Sequence, residues 1–168
     1  MKLLNIEEEE LRNMFAKLIV SSMNSDFDNT VHPAFVETIK QMSVLDAKIV
    51  KSFRNVGTHT AGNIIQVMNA AGEYIPKGAY FTLLEDFYIF PDPEHTLNAL
   101  SQATSNLIRL GIISIDPKQN MDCQDIFLKD SRVSDFMNKC SFSNTTNKIR
   151  TSRLDVTPFG SAFKGCVI

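Results

Sequence analysis

Apolar residues recur at helical spacing over the first part of the chain. They occupy positions i, i+3, i+4, i+7, i+8 and i+12 of one stripe: Leu11, Met14, Phe15, Leu18, Ile19 and Met23. Four glutamates at 7–10 lie in the opening turns, where the positive end of a helix dipole favours carboxylates. Turn-forming residues at 25–29 end the pattern. We predict a first helix that buries this stripe.

A second and a third helix are predicted on either side of Ser43. Pro33 suits the first position of a helix, because its missing N–H would have no partner there. Ser43, followed three residues later by Asp46, resembles a capping box, which marks the start of a new helix. The stretch from His32 to Asp46 is therefore interpreted as a corner between two helices.

The middle of the chain gives mixed signals. In residues 57–90, the stretch "NIIQVM" fits a short helix or a strand, and "AYFTLLEDFYIF" is too apolar for an exposed loop. We favour a helix before Gly72 and another over residues 81–87.

A clearer pattern follows. Asp92 and Pro93 open a predicted helix over 93–110, and Gly111 ends it, since glycine readily adopts the left-handed conformation that stops a helix. The stretch "IISI" then predicts a strand, and "SFSNTTNKIRTSRL" a polar hairpin arm. Thr157 and Pro158 open a final helix.

Helix, strand, polar arm, strand and helix in this order are typical of a winged-helix unit. Residues 93–110 would be its recognition helix, and the arm before Leu154 its wing. We predict a mainly α-helical α+β single domain over 1–168. An N-terminal helical layer would span 1–56, and a winged-helix-like part with a short β-hairpin and an insertion would span 57–168.

Composition places the chain among folded proteins without a membrane span. Hydrophobic residues make up 43%, and no apolar run approaches the roughly 20 residues needed to cross a bilayer. A formal net charge of -2 gives no global attraction to nucleic acid or to anionic membranes. Three cysteines without a CxxC pair, and an N-terminus unlike a signal peptide, indicate a reduced cytoplasmic protein.

Motifs for metal binding or catalysis are not evident. His32, His59 and His95 lie far apart in the chain and lack clustered cysteines, whereas a zinc site pairs its ligands locally. The chain has no G-x-S-x-G, no HExxH and no Walker loop. We predict no metal, no cofactor and no catalytic residue, although convergence of distant side chains stays open. His32 is interpreted as a structural residue at a helix start.

Nucleic-acid contact is a weaker hypothesis. The predicted recognition helix carries one full positive charge, Arg109, and three further basic residues, Lys148, Arg150 and Arg153, fall on the predicted wing. The candidate contact set is Asn98, Gln102, Arg109, Lys148, Arg150 and Arg153. We favour a polar solvent-facing helix with a basic hairpin tip over a DNA-reading surface.

Four stretches, "ELRNMFAKLIVSSM", "VHPAFVETIKQMSVLDAKIV", "ALSQATSNLIRLGII" and "VTPFGSAFKGCV", resemble the bacterial abortive-infection alpha (Abi-alpha) family. The resemblance runs from about residue 8 to residue 166, and is loose over 56–90. Its most specific part is HPxF…QxSxLDA, at residues 32–47. Family members often carry a further N-terminal region, so a truncated form of a longer protein stays open.

The resemblance implies a role in phage defence, and supplies no catalytic residues. We interpret the motif positions as a structural or interface signature: His32, Pro33, Phe35, Gln41, Ser43, Leu45 and Asp46. The leading hypothesis is a non-enzymatic interaction or regulatory module, which contacts a protein partner or a second copy near residues 32–46. The alternatives are a winged-helix DNA-binding regulator and an effector enzyme such as a nuclease.

Overall fold

The computed structural model describes residues 4–24, 31–53, 58–68, 80–91, 94–142 and 145–168, with side chains from residue 9 onward. These ranges contain seven helices: α1 (Leu4–Ser22), α2 (Ala34–Lys40), α3 (Val44–Ser52), α4 (Leu97–Arg109), α5 (Gln124–Leu128), α6 (Ser131–Lys139) and α7 (Pro158–Val167). They also contain four strands: β1 (His59–Met68), β2 (Tyr80–Tyr88), β3 (Ile113–Asp116) and β4 (Thr145–Val156).

The four strands form one antiparallel, curled sheet in the order β2-β1-β4-β3. β1 pairs with β4 in an unbroken register, from His59 opposite Leu154 to Met68 opposite Thr145. The pairing of β1 with β2 shifts register between Gly62 and Ile65. β4 is therefore an interior strand of the sheet.

This sheet shows that the predicted fold class was wrong. The protein is α+β, with a four-stranded antiparallel sheet, and is not mainly helical with a winged helix. The predicted wing is β4, which is hydrogen-bonded between β1 and β3. β4 contains polar residues because one face of this part of the strand is exposed to solvent. Lys148 and Arg150 are exposed on that face, and Ile149 between them is buried on the other.

Both helices favoured between residues 57 and 90 were also wrong where the structure describes them. β1 occupies 59–68 and β2 occupies 80–88; residues 69–79, around Gly72, lie outside the described residues. In β1, buried Ile64 and Gln66 alternate with less buried neighbours, which is the period of a strand. Gln66 hides this pattern in the sequence because it is polar. Its amide donates to the Cys140 carbonyl (3.0 Å) and to Asn147 Oδ1 (3.1 Å).

The chain divides into two compact units. Unit 1 comprises Met1–Thr58, Ser105–Ser114 and Asp155–Ile168, and unit 2 comprises His59–Thr104 and Ile115–Leu154.

In unit 1, α1 packs against α2, α3 and α7. Aromatic side chains form the centre of the contact between α2 and α7. The Phe35 ring meets Phe159 and Phe163 edge-on, with centroids 5.3 and 5.4 Å apart, a favoured geometry for aromatic pairs. Phe35 and Phe163 are fully buried.

The start of α7 is fixed by Thr157. Its Oγ1 accepts from the Gly160 N–H (2.9 Å), and its own N–H donates to the Ile112 carbonyl (3.0 Å). This confirms the predicted opening of the last helix. Gly160 lies directly against the Ile112 carbonyl, where a Cβ atom would collide with backbone.

In unit 2, Arg132 hydrogen-bonds both the residue that caps α6 and two backbone carbonyls outside the helices. Its guanidinium donates to both carboxylate oxygens of Asp130 (2.9 and 2.6 Å), to the His95 carbonyl (3.2 Å) and to the Phe90 carbonyl (3.1 Å). The hydrogen bond from Arg132 holds the pKa of Asp130 below its ordinary value, against the opposing effect of burial.

We predict opposite effects of alanine at two glycines of α7. Gly160→Ala forces Cβ into the Ile112 carbonyl and should lower the free energy of unfolding by about 3 kcal/mol. Gly165→Ala meets no atom within 4 Å, and should raise it by up to about 1 kcal/mol through helix propensity. Urea unfolding measures both. Equal effects of the two substitutions would contradict the packing described at Gly160.

We also predict that Asp130→Asn lowers the free energy of unfolding by an amount that depends on pH. Because the pKa of Asp130 is lowered in the fold, its ion pair stabilises the protein above the unfolded pKa of about 3.9. That contribution is lost as pH falls through the lower folded pKa. At pH 7 the variant should lose about 1–2 kcal/mol, and the difference from wild type should shrink below about pH 4. Urea unfolding at several pH values tests this, with exposed Asp122→Asn as the control; a constant difference would refute it.

Candidate functional site

The corner between α2 and α3 is built around a capping box. Ser43 Oγ accepts from the Asp46 N–H (3.1 Å), and Asp46 Oδ2 accepts from the Ser43 N–H (2.6 Å). The capping box predicted from the sequence is therefore confirmed. It fixes the residue at which α3 begins and the direction in which it leaves α2.

Asp46 does more than cap a helix, because its side chain is almost fully buried (1% exposed). Its Oδ2 accepts a second bond from the Asn106 side-chain amide on α4 (2.8 Å). The same amide donates to the Gln41 carbonyl (3.1 Å). One amide of α4 therefore joins both helices of the corner. No described residue donates to Asp46 Oδ1.

Arg109 completes this network. Its guanidinium donates twice to Asn106 Oδ1 (3.0 and 2.8 Å) and once to Gln41 Oε1 (2.8 Å). Since Arg109 occupies the acceptor of the Asn106 amide, the donor side of that amide is turned toward the Asp46 carboxylate. The arginine thus supports the buried carboxylate through one intervening side chain.

His32 lies at the start of α2, in an exposed position. Its Nδ1 accepts from the Ala34 N–H (3.1 Å), which satisfies one of the unpaired donors of a helix start. Its ring contacts Phe35 and Phe159, with centroids 5.9 and 5.8 Å away. These contacts support the interpretation of His32 as a residue that positions a helix.

The structure thus gathers most of the sequence motif into one corner of unit 1. Phe35 and Asp46 are buried, Leu45 is half-buried, and Pro33, Gln41 and Ser43 are exposed. Among described residues, no three His, Cys, Asp or Glu side chains meet as a metal site. The arrangement is suited to holding α2, α3 and the end of α4 in place.

The candidate nucleic-acid residues lie on α4 and β4. Asn98 and Gln102 are exposed on α4, in unit 2, whereas Arg109 belongs to the corner in unit 1. Lys148 is exposed on β4. Arg153 donates to Gln119 Oε1 (3.1 Å).

Arg150 is also engaged within its own unit. Its guanidinium lies 5.6 Å from the centre of the Tyr80 ring and donates to the Tyr80 hydroxyl (2.6 Å). It also donates to the Pro117 carbonyl (3.4 Å). Arg150 and Arg153 thus contact the sheet and a neighbouring turn, and all three basic residues lie along a strand.

A surface that the sequence interpretation missed lies on α1. Ile19, Val20 and Met23 are 59%, 68% and 82% exposed, and Ala16 is exposed beside them. These four residues occupy positions i, i+3, i+4 and i+7, and we call them the outer face of α1. The prediction that Ile19 and Met23 are buried was wrong, because the inner face is centred on Met14 and Leu18.

The fold defines an α+β protein whose helical corner is fixed by a buried carboxylate. The family model described as "Abortive infection alpha" matches residues 3–167. The chain therefore belongs to the abortive infection alpha family, and the resemblance in the four sequence stretches is confirmed. No curated protein and no solved structure matches the chain. Among the described residues, no helix has the length and apolar character to cross a membrane.

We predict that the Asn106 amide is essential for the stability of the corner. Asn106→Ala removes a donor to buried Asp46, and should lower the free energy of unfolding by about 2–3 kcal/mol. Gln102→Ala, at an exposed position of the same helix, should change it by less than about 0.5 kcal/mol. Urea unfolding of both variants tests this. Equal values would mean that the bridge from α4 contributes little.

Proposed function

We propose that the protein acts in abortive infection as an interaction module that associates reversibly with a second copy of itself through the outer face of α1. Family membership supports the link to abortive infection. The observation that carries the proposal is the row of exposed apolar side chains at Ala16, Ile19, Val20 and Met23. Contiguous exposed apolar side chains are typical of protein–protein contact sites.

The motif corner is a weaker candidate for this contact. Phe35 and Asp46 are buried, and Gln41 and Ser43 are hydrogen-bonded within unit 1. A partner that engaged those groups would have to compete with bonds that hold the corner together. The outer face of α1 can be covered with no such loss.

A second copy fits the outer face by shape. If two α1 helices cross antiparallel about a two-fold axis between Ile19 and Val20, each Ile19 opposes the other copy's Val20. The small Ala16 then opposes the long Met23 side chain. Two-fold contacts require such self-complementarity, because the same patch supplies both sides.

Charge also favours a second copy. Residues 18–24, "LIVSSMN", carry no charged side chain, so a copy placed against them opposes no like charges within the patch. The surface is small, however. One alanine and three larger side chains cover much less than the ~800 Å² per partner of a standard stable interface. We therefore propose a weak, concentration-dependent dimer.

Lysine at two positions of the outer face should prevent this association. In Val20→Lys/Met23→Lys, charge replaces exposed apolar surface near the C-terminal end of α1, where lysine is compatible with the helix. Leu128→Lys is the matched control, because Leu128 is a half-exposed apolar residue at the end of α5. Sedimentation should show wild type and control shifting toward dimer between about 1 and 500 μM, the range for micromolar dissociation constants. The double variant should stay monomeric.

A phage challenge of cells that carry each version connects the association to function. Wild type and Leu128→Lys should lower phage yield relative to cells without the gene, and the double variant should not. A wild-type protein that is monomeric at every concentration would overturn the proposed dimer. A double variant that is monomeric yet fully protective would show that defence does not depend on the dimer.

A further inference from the structure

Unit 2 contains a cavity of about 440 Å³ between the first turn of α4 and one face of α6. Residues 96–98 form one wall, and α6 with its C-terminal cap residue supplies the other from positions 132, 135, 136, 139 and 140. These positions are spaced i, i+3, i+4, i+7 and i+8, so a single helical face lines the cavity. The volume lies within the range of roughly 300–1,000 Å³ that small-molecule sites occupy.

The base of the cavity is apolar. Leu97 is buried, and the Phe136 ring is half-buried against the same space. Arg132 adjoins them and is held by Asp130 and by two backbone carbonyls, so its charge is neutralised and its position fixed. A flat or branched apolar group can lie on this base without displacing an existing bond.

The polar groups of the cavity carry both signs of charge. Asp135 and Lys139 are exposed and four residues apart on α6, the acid nearer the N-terminus, a spacing at which such pairs can bond. Neither forms an ion pair or a hydrogen bond with any described residue. By contrast, Glu37 and Lys40 on α2 do form a pair, at 2.7 Å. Asn98, on the opposite wall, likewise makes no side-chain hydrogen bond among the described residues.

We propose that this cavity binds a small zwitterion with an apolar side chain, in the chemical class of a free hydrophobic amino acid. The ligand's carboxylate would bind the Lys139 ammonium, and its ammonium the Asp135 carboxylate. Its side chain would lie on Leu97 and Phe136. A ligand of one charge would meet an equal number of opposing and like charges, because Lys139 and Asp135 balance once Arg132 is neutralised.

This proposal is independent of self-association, since the outer face of α1 belongs to unit 1 and every lining residue to unit 2. The full chain with Val20→Lys/Met23→Lys should therefore bind the ligand like wild type. Failure of one proposal can be separated from failure of the other.

Isothermal titration of the full chain with L-phenylalanine is the direct test. We expect a dissociation constant of about 1 mM or tighter. 3-Phenylpropionate, which lacks the ammonium, and phenethylamine, which lacks the carboxylate, should each bind about five-fold more weakly, the effect of one partly exposed ion pair. No binding of L-phenylalanine, or equal binding of either analogue, would overturn the proposal.

Two variants identify the charged groups. Lys139→Gln and Asp135→Asn should each weaken L-phenylalanine binding by about five-fold. Lys129→Gln is the matched control, at an exposed lysine outside the lining, and should leave binding unchanged. The circular dichroism spectrum and Tm of each variant verify its fold. Folded Lys139→Gln and Asp135→Asn that bind like wild type would show that the ligand lies elsewhere.

Discussion

The helical corner of unit 1 depends on one buried carboxylate. Asp46 accepts hydrogen bonds from the Ser43 backbone and from the Asn106 amide while it is 1% exposed. Removing a charge from water costs several kcal/mol, and hydrogen bonds offset this only when their geometry is good. Because Oδ2 receives donors from two different segments, it keeps both hydrogen bonds only when α3 and the end of α4 lie in one relative position.

That constraint explains why the motif mixes polar and aromatic residues. Phe35 packs on Phe159 and Phe163, and such apolar contacts tolerate small shifts. The polar bridge from Asn106 to Asp46 and the Gln41 carbonyl is directional, and so fixes how the end of α4 meets the corner, whereas the aromatic contacts join α2 to α7. Arg109 adds a positive charge at the exposed end of the bridge, where removing that charge from water costs little because the side chain stays exposed.

What the sequence could predict were features set by neighbouring residues. The capping box at Ser43, the strand after Gly111 and the helix start at Thr157 have local signals, and the structure confirms them. The helix predicted over 93–110 is confirmed from Leu97 to Arg109 only. Its predicted opening at Asp92 and Pro93 was wrong, because residues 94–96 are not helical; residues 92 and 93 lie outside the described residues. The sheet was missed because its pairings are not local: β1 pairs with β4, and His59 lies opposite Leu154.

The candidate site was predicted only where its contacts join residues close together in the sequence. Ser43 and Asp46 are three residues apart and could be related by spacing alone. The link from Asp46 to Asn106 spans 60 residues and has no signature in the sequence. The outer face of α1 was missed because Ile19 and Met23 fit the spacing of the inner stripe, and only the packing of α1 shows which side faces the other helices.

The proposed contact on α1 and the proposed ligand site beside α6 also limit how this protein could be regulated. Dimer formation through a small apolar patch responds to protein concentration, because the dimer is populated only near or above its dissociation constant. A ligand in unit 2 changes that balance only if it binds monomer and dimer with different affinity, and it does so by no more than that difference. If the affinities are equal, the two sites act separately, and the amount of the protein in the cell alone sets the extent of association.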